Sequence, residues 1–177
     1  MGTKLDPEVA SRLCAACGLC CNGVLFREVH LQPEDSISAI AALGLRLRSR
    51  HGKRYFQQPC SAFRGSCCSV YDERPVRCRE FECRQLQKVA EGEINEQAAL
   101  ETIRQALQEV EQVEALVEKC GAKNLKRSLK QRFEKATSEP VSLDGLGGGI
   151  EDRARLMRSF LELTELLETE FRVYEED

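Results

Sequence analysis

Residues 14–21 read Cys14-Ala15-Ala16-Cys17-Gly18-Leu19-Cys20-Cys21, and a second group follows as Cys60, Cys67, Cys68, Cys78 and Cys83. Nine of the ten cysteines fall within 70 residues, and only Cys120 lies outside. A two-residue gap lets the chain turn back so that two sulfurs occupy neighbouring vertices of a tetrahedron, and Gly18 supplies the backbone freedom for a tight turn. Such density means a disulfide framework or metal ligation, and the compartment decides between them. The stretch MGTKLDPEVASRL has no apolar run of the roughly 7–15 residues a secretory signal needs. Asp6 stands where N-myristoylation needs Ser or Thr. No stretch approaches the roughly 18 uninterrupted apolar residues of a membrane span. The expected setting is the reducing cytosol, where thiolates hold metal rather than pair with one another.

Charge divides the chain where the cysteines thin out. Residues 1–90 carry 14 Lys and Arg against 9 Asp and Glu, net +5, whereas 91–177 carry 12 against 20, net −8. Two modules are expected: a cysteine-cluster metal-binding module over 1–90 and a helical extension over 91–177. The fold class expected is mainly α, with a small irregular α+β module nucleated by metal and followed by amphipathic helices. A short, weakly apolar module needs staples, and metal supplies them.

Within the first module the order reads as a cysteine knuckle, a short strand, a helix, a second strand and the second cysteine group. Val24 to Val29 has strand composition, and Pro33-Glu34-Asp35 fits the first turn of a helix reaching Leu43 and closed by Gly44. Arg46 to Arg50 is a basic stretch, and Tyr55-Phe56 before Pro59 is extended. In the second module Asn95 is an N-cap. Leu100, Ile103, Leu107, Val110, Val113, Val117 and Cys120 then recur at helical steps up to Gly121. Leu125, Leu129 and Phe133 mark a shorter basic helix ending before Pro140, and Val141 to Gly149 is a flexible glycine turn. A last helix is expected from Ile150 to Tyr174, with Leu156, Phe160, Leu163, Leu167 and Tyr174 along its apolar stripe.

CxxCGxCC, then Pro59-Cys60, then CxVYxxRPxxCRxFxC over 68–83 closely resemble the cysteine-cluster family of zinc- or iron-chelating domains, the CxxCxxCC or YkgJ-like proteins. The resemblance covers residues 14–83, including Tyr71, Arg74, Pro75 and Arg79. It implies that Cys14, Cys17, Cys20, Cys21, Cys60, Cys68, Cys78 and Cys83 are the metal ligands. Cys67 falls outside the pattern. A more distant resemblance to the flagellin lysine N-methylase, for which a four-iron cluster is implied, tips the cofactor towards iron–sulfur over zinc. The spacing alone fits no ferredoxin run, because Cys21 follows Cys20 directly where that run needs three intervening residues. Neighbouring side chains of extended backbone point to opposite faces, so Cys20 and Cys21 serve one ion poorly together. Two zinc sites, one four-iron cluster with four other thiols, or one cluster plus one zinc all remain open.

Bound thiolates are anionic, and Arg74, Arg77, Arg79 and Arg84 are placed in sequence to offset them. Arg46, Arg48, Arg50, Lys53 and Arg54 could form a nucleic-acid patch, but only Tyr55 and Phe56 offer aromatic interleaving, and a solvated surface is the reading preferred. His30 and His51 read as ordinary surface or hydrogen-bonded residues, and Cys120 as a small buried hydrophobe. No phosphate loop, nucleophile elbow, zinc-protease helix or dinucleotide fingerprint occurs, so no catalytic motif is recognised. Three functions remain: a structural metal site whose helices dock a protein partner or a second copy, iron–sulfur redox or methyl-transfer chemistry, and metal storage or delivery.

Overall fold

The computed structural model describes residues 5–138 and 149–173. The elements in chain order are helix α1 (Pro7–Cys17), strand β1 (Glu28–His30), helix α2 (Ile37–Ala42), strands β2 (Leu47–Arg50), β3 (Lys53–Gln57), β4 (Phe63–Arg64) and β5 (Cys67–Cys68), and helices α3 (Val76–Glu80), α4 (Arg84–Ala90), α5 (Glu96–Lys119), α6 (Leu129–Ser138) and α7 (Ile150–Glu170). The fold is mainly helical with two small antiparallel sheets, as the sequence leads one to expect.

Instead of a knuckle, the first cysteines stand on a helix. Asp6 accepts the Glu8 N–H at 2.9 Å, Pro7 fits the first turn, and Gly18 in the left-handed region donates to the Cys14 carbonyl. Those signals start and stop α1, so Cys14 and Cys17 sit three apart on one face of its last turn. A Cβ on Gly18 would meet the Phe63 ring at 2.7 Å, so both conformation and space require glycine.

The strand expected at Val24–Val29 is confined to Glu28–His30. Asn22 Oδ1 accepts the Val24 N–H, and Leu19 O accepts that of Leu25, which holds 19–25 in turns. The helix expected from Pro33 begins only after Ser36, whose hydroxyl accepts the Ala39 N–H. Asp35 is otherwise engaged: its two carboxylate oxygens accept from Gln32 N and, 41 residues on, from Val76 N at the start of α3. The basic stretch is a strand. β2 pairs with β3 through a two-residue turn, His51-Gly52, in which both residues have positive φ, and β3 pairs with β1, giving the order β1-β3-β2.

Asn95 caps α5 by accepting from Ala98 N at 2.8 Å, and α5 touches α1, α4, α6 and α7. Its most enclosed positions include Ala99 and Ala106, small residues that let neighbouring helices approach. The shorter basic helix starts at Leu129, not Leu125, which is 69% exposed. Ser128 and Gln131 form a reciprocal capping box there: Gln131 Oε1 accepts from Ser128 N, and Ser128 Oγ accepts from Gln131 N. The rings of Phe133 and Phe160 stack at 3.8 Å between α6 and α7. Residues 139–148 and Tyr174 lie outside the described residues, so the glycine turn and the last stripe position are not among the elements above.

Two hydrophobic clusters organise the chain. The larger joins Leu13, Leu19, Leu25 and Leu86 to the buried faces of α5, α6 and α7, ending in Phe171, and so draws on residues both before and after position 90. The smaller joins Val29, Ile40, Leu45, Phe56 and Ala62 under the three-stranded sheet. The end of α7 is tied to the start of α4: Phe171 O accepts from Arg84 N, Glu170 O from the Gln85 side chain, and Glu170 Oε2 from Lys88 Nζ at 2.8 Å. Gly23 O accepts from Leu129 N, which ties the first cysteine segment to α6.

Candidate metal centre

Cys14 and Cys17 project from the last turn of α1, Cys20 follows in the turn after Gly18, and Cys83 precedes the first residue of α4. All four rest against the larger hydrophobic cluster. Burial pushes the Cys17 thiol up to about 12, opposed by the Leu19 N–H and reinforced by Cys83, Cys14 and Cys21. Burial raises Cys14, with Cys83 adding to the effect, and raises Cys20 well above the ordinary thiol range, with Cys17, Cys83, Cys21 and Cys14 adding. Cys83 is also raised by burial, while the N–H groups of Leu86 and Gln85 favour its thiolate.

The other four family-pattern cysteines are brought together by the turns and short strands. Cys21 O accepts the Cys60 N–H at 2.8 Å, and Cys60 Sγ accepts the Ala62 N–H at 3.4 Å. β4 and β5 pair Phe63 with Cys68, and Ala62 O accepts from both Ser69 N and Ser69 Oγ, which holds Cys68 near Cys60. Cys78 is carried by α3, whose start is fixed by the bond from Val76 N to Asp35. Burial pushes both Cys21 and Cys78 up to about 12; Cys60, Cys68 and Cys14 raise Cys21 further, and Cys21, Cys60 and Cys68 raise Cys78 further. Burial likewise raises Cys60, with the Ala62 N–H opposing it.

All eight of these cysteines, and Cys67, line one cavity of about 1060 Å³ between the two hydrophobic clusters. Every one of the ten cysteines is a free thiol. Cys67 is exposed on β5, and Cys120 is buried in the helical core rather than in the cavity wall. Among the described residues, no three His, Cys, Asp or Glu side chains are drawn close enough to hold an ion as they stand. The donor set nevertheless fits a metal: soft sulfur ligands, enclosed, with backbone N–H groups directed at Cys17, Cys60 and Cys83 to stabilise the thiolate form.

Of the four arginines expected to offset thiolate charge, Arg74 acts on several sulfurs. It favours the thiolates of Cys14, Cys21 and Cys78. Its guanidinium lies 3.7 Å from the centre of the Tyr71 ring, with Nε donating to Tyr71 O at 2.7 Å and Nη1 to Cys78 O at 3.4 Å. Tyr71 therefore serves as a platform for that cation. Arg84 is engaged with Thr169 O, and Arg79 is exposed. His30 Nε2 bonds Glu28 at 3.0 Å, and His51 occupies the exposed hairpin turn. Residues that the sequence does not single out are Asp35, which anchors the helix of Cys78, and Phe63, which fills the space over Gly18; neither carries a motif of its own.

No curated protein and no solved structure matches this chain. A family model does match, over residues 13–120, extending beyond the last clustered cysteine to the end of α5. With that match and the converging thiols together, the chain belongs to the CxxCxxCC family, described as "Putative zinc- or iron-chelating domain".

Proposed function

We propose that Cys14, Cys17, Cys20, Cys21, Cys60, Cys68, Cys78 and Cys83 are the ligands of a structural metal site in a cytosolic protein, with iron–sulfur favoured over zinc. The observation that carries this reading is that all eight thiols line one cavity between the two hydrophobic clusters, reached from α1, α3, β5 and the intervening turns. When bound, the metal would cross-link segments carried on two-residue strands and a five-residue helix. The chain's own residues orient the sulfurs, enclose them against the helical core, and offset their charge through Arg74. Elemental analysis of anaerobically purified protein, with its absorption spectrum, tests the assignment. Brown protein with visible absorbance and bound iron is the expected result; colourless protein with stoichiometric zinc would remove the iron–sulfur preference, and absence of both metals would remove the reading itself.

A docking role for the helices, towards a protein partner or a second copy, is favoured by one observation. Ile150, Met157 and Leu161 lie seven and four residues apart on α7 and are 71%, 49% and 66% exposed. Apolar side chains at such spacing share one face of a helix. Sedimentation velocity over a hundredfold concentration range is expected to show self-association that Leu161→Glu reduces. A monomer throughout, with no change in the variant, would restrict the docking idea to a different protein.

A further inference from the structure

We propose that the cavity holds two metal centres, one on Cys14, Cys17, Cys20 and Cys83 and the other on Cys21, Cys60, Cys68 and Cys78. The inference rests on the reading of the eight thiols as ligands and goes beyond it by dividing them. The division follows the two hydrophobic clusters. Cys14, Cys17, Cys20 and Cys83 rest on the helical cluster, whereas Cys60 and Cys78 rest on the sheet cluster beside Val70. Cys21 is joined to the second set by the 2.8 Å bond from Cys60 N to its carbonyl, and Cys68 by the β4–β5 ladder that brackets Ala62.

The adjacent pair Cys20-Cys21 is where the sets part. Gly18 O accepts from both Cys21 N and Asn22 N, and this turn leaves Cys20 against the helices while Cys21 meets the Pro59-Cys60 segment. Four sulfurs in each set are the number that a closed tetrahedral zinc site or an iron–sulfur cluster requires. A divalent ion with four thiolates carries about −2, so two such centres side by side repel. Arg74 lines the cavity that both sets share and is held there by Tyr71 O and Cys78 O, which puts a cation where the two anionic centres would meet.

Cobalt(II) is a suitable probe, because its visible bands report tetrahedral thiolate coordination. Metal-free, fully reduced full-length protein, titrated anaerobically, is expected to take up two equivalents, both with four-thiolate spectra. Cys60→Ser/Cys68→Ser is expected to retain one equivalent with that spectrum, and Cys14→Ser/Cys17→Ser to retain the other. Complete loss of cobalt in Cys60→Ser/Cys68→Ser, or saturation of the unaltered protein at one equivalent, overturns the division while leaving the eight-thiol reading intact. No uptake by the unaltered protein overturns both. If Cys14→Ser/Cys17→Ser does not fold, as its helical circular dichroism will reveal, the Cys60→Ser/Cys68→Ser result decides alone, since those positions lie outside the helical cluster.

Discussion

Removing the metal is expected to lower the melting temperature of this protein by about 10 °C and to open the segment from Gly44 to Cys83 while α5, α6 and α7 stay helical. The size follows from linkage: a ligand at about a thousand times its Kd stabilises by about 4 kcal/mol, and each kcal/mol is worth about 2–4 °C in a chain of this length. The unequal response follows from the packing. The helical cluster draws on Leu13, Ile103, Val113, Leu156, Leu163 and Phe171, a contiguous core that needs no metal to exclude water. The sheet cluster has only five buried members, and the stretch that carries Cys60, Cys68 and Cys78 is two-residue strands and a five-residue helix. Such short elements have little independent stability, so their order depends on what ties them together. Calorimetry before and after chelator treatment, with limited proteolysis to locate the opened segment, measures both parts. Equal melting temperatures for metal-free and reconstituted protein would end the claim that the site is structural.

The long helix and its cap were legible because Asn95, the apolar steps from Ile103 to Val117 and Gly121 all announce the same element. Legibility failed where one spacing serves two geometries. Cysteines three apart satisfy both a turn and a helix face, and only the Asp6-Pro7 start and the Gly18 stop distinguish the helix that forms. A second failure came from competing signals in one segment. Leu125, Leu129 and Phe133 suggest a helix four residues too early, whereas Ser128 and Gln131 spell the capping box that sets the start. β2 was hidden because of its four residues Leu47, Arg48, Ser49 and Arg50 only Leu47 contacts the sheet cluster, so no apolar alternation shows. At the site, the resemblance implies which cysteines matter, but which of them keep company depends on long-range pairings such as Asp35 with Val76 and Cys21 with Cys60, and those follow from the assembled fold rather than from local spacing.

Metal affinity is expected to fall by up to about four decades per pH unit for a four-thiolate centre as the medium is acidified from about pH 8 to about pH 6. In the unloaded protein Cys14, Cys17, Cys20 and Cys83 all have thiol pKa values raised by burial, Cys17 to about 12, so each enters the neutral range protonated. Binding converts thiol to thiolate and expels those protons; acid drives the reaction backwards and alkali drives it forwards. The unloaded fold responds in the opposite sense. A thiol whose folded pKa lies above its unfolded value stabilises the fold below the unfolded value, near 9, and that contribution is lost as the pH climbs through the folded one, about 12 for Cys17, Cys21 and Cys78. Metal-free protein should therefore lose stability in alkali, over the range in which the loaded protein grips its metal most firmly. Competition against a chromophoric chelator, corrected for the chelator's own protonation, gives the affinity at each pH, and thermal melts of both forms give the stabilities. An affinity independent of pH would mean that the ligands are not these thiols, because sulfurs that start out protonated cannot take up a metal ion without surrendering their protons.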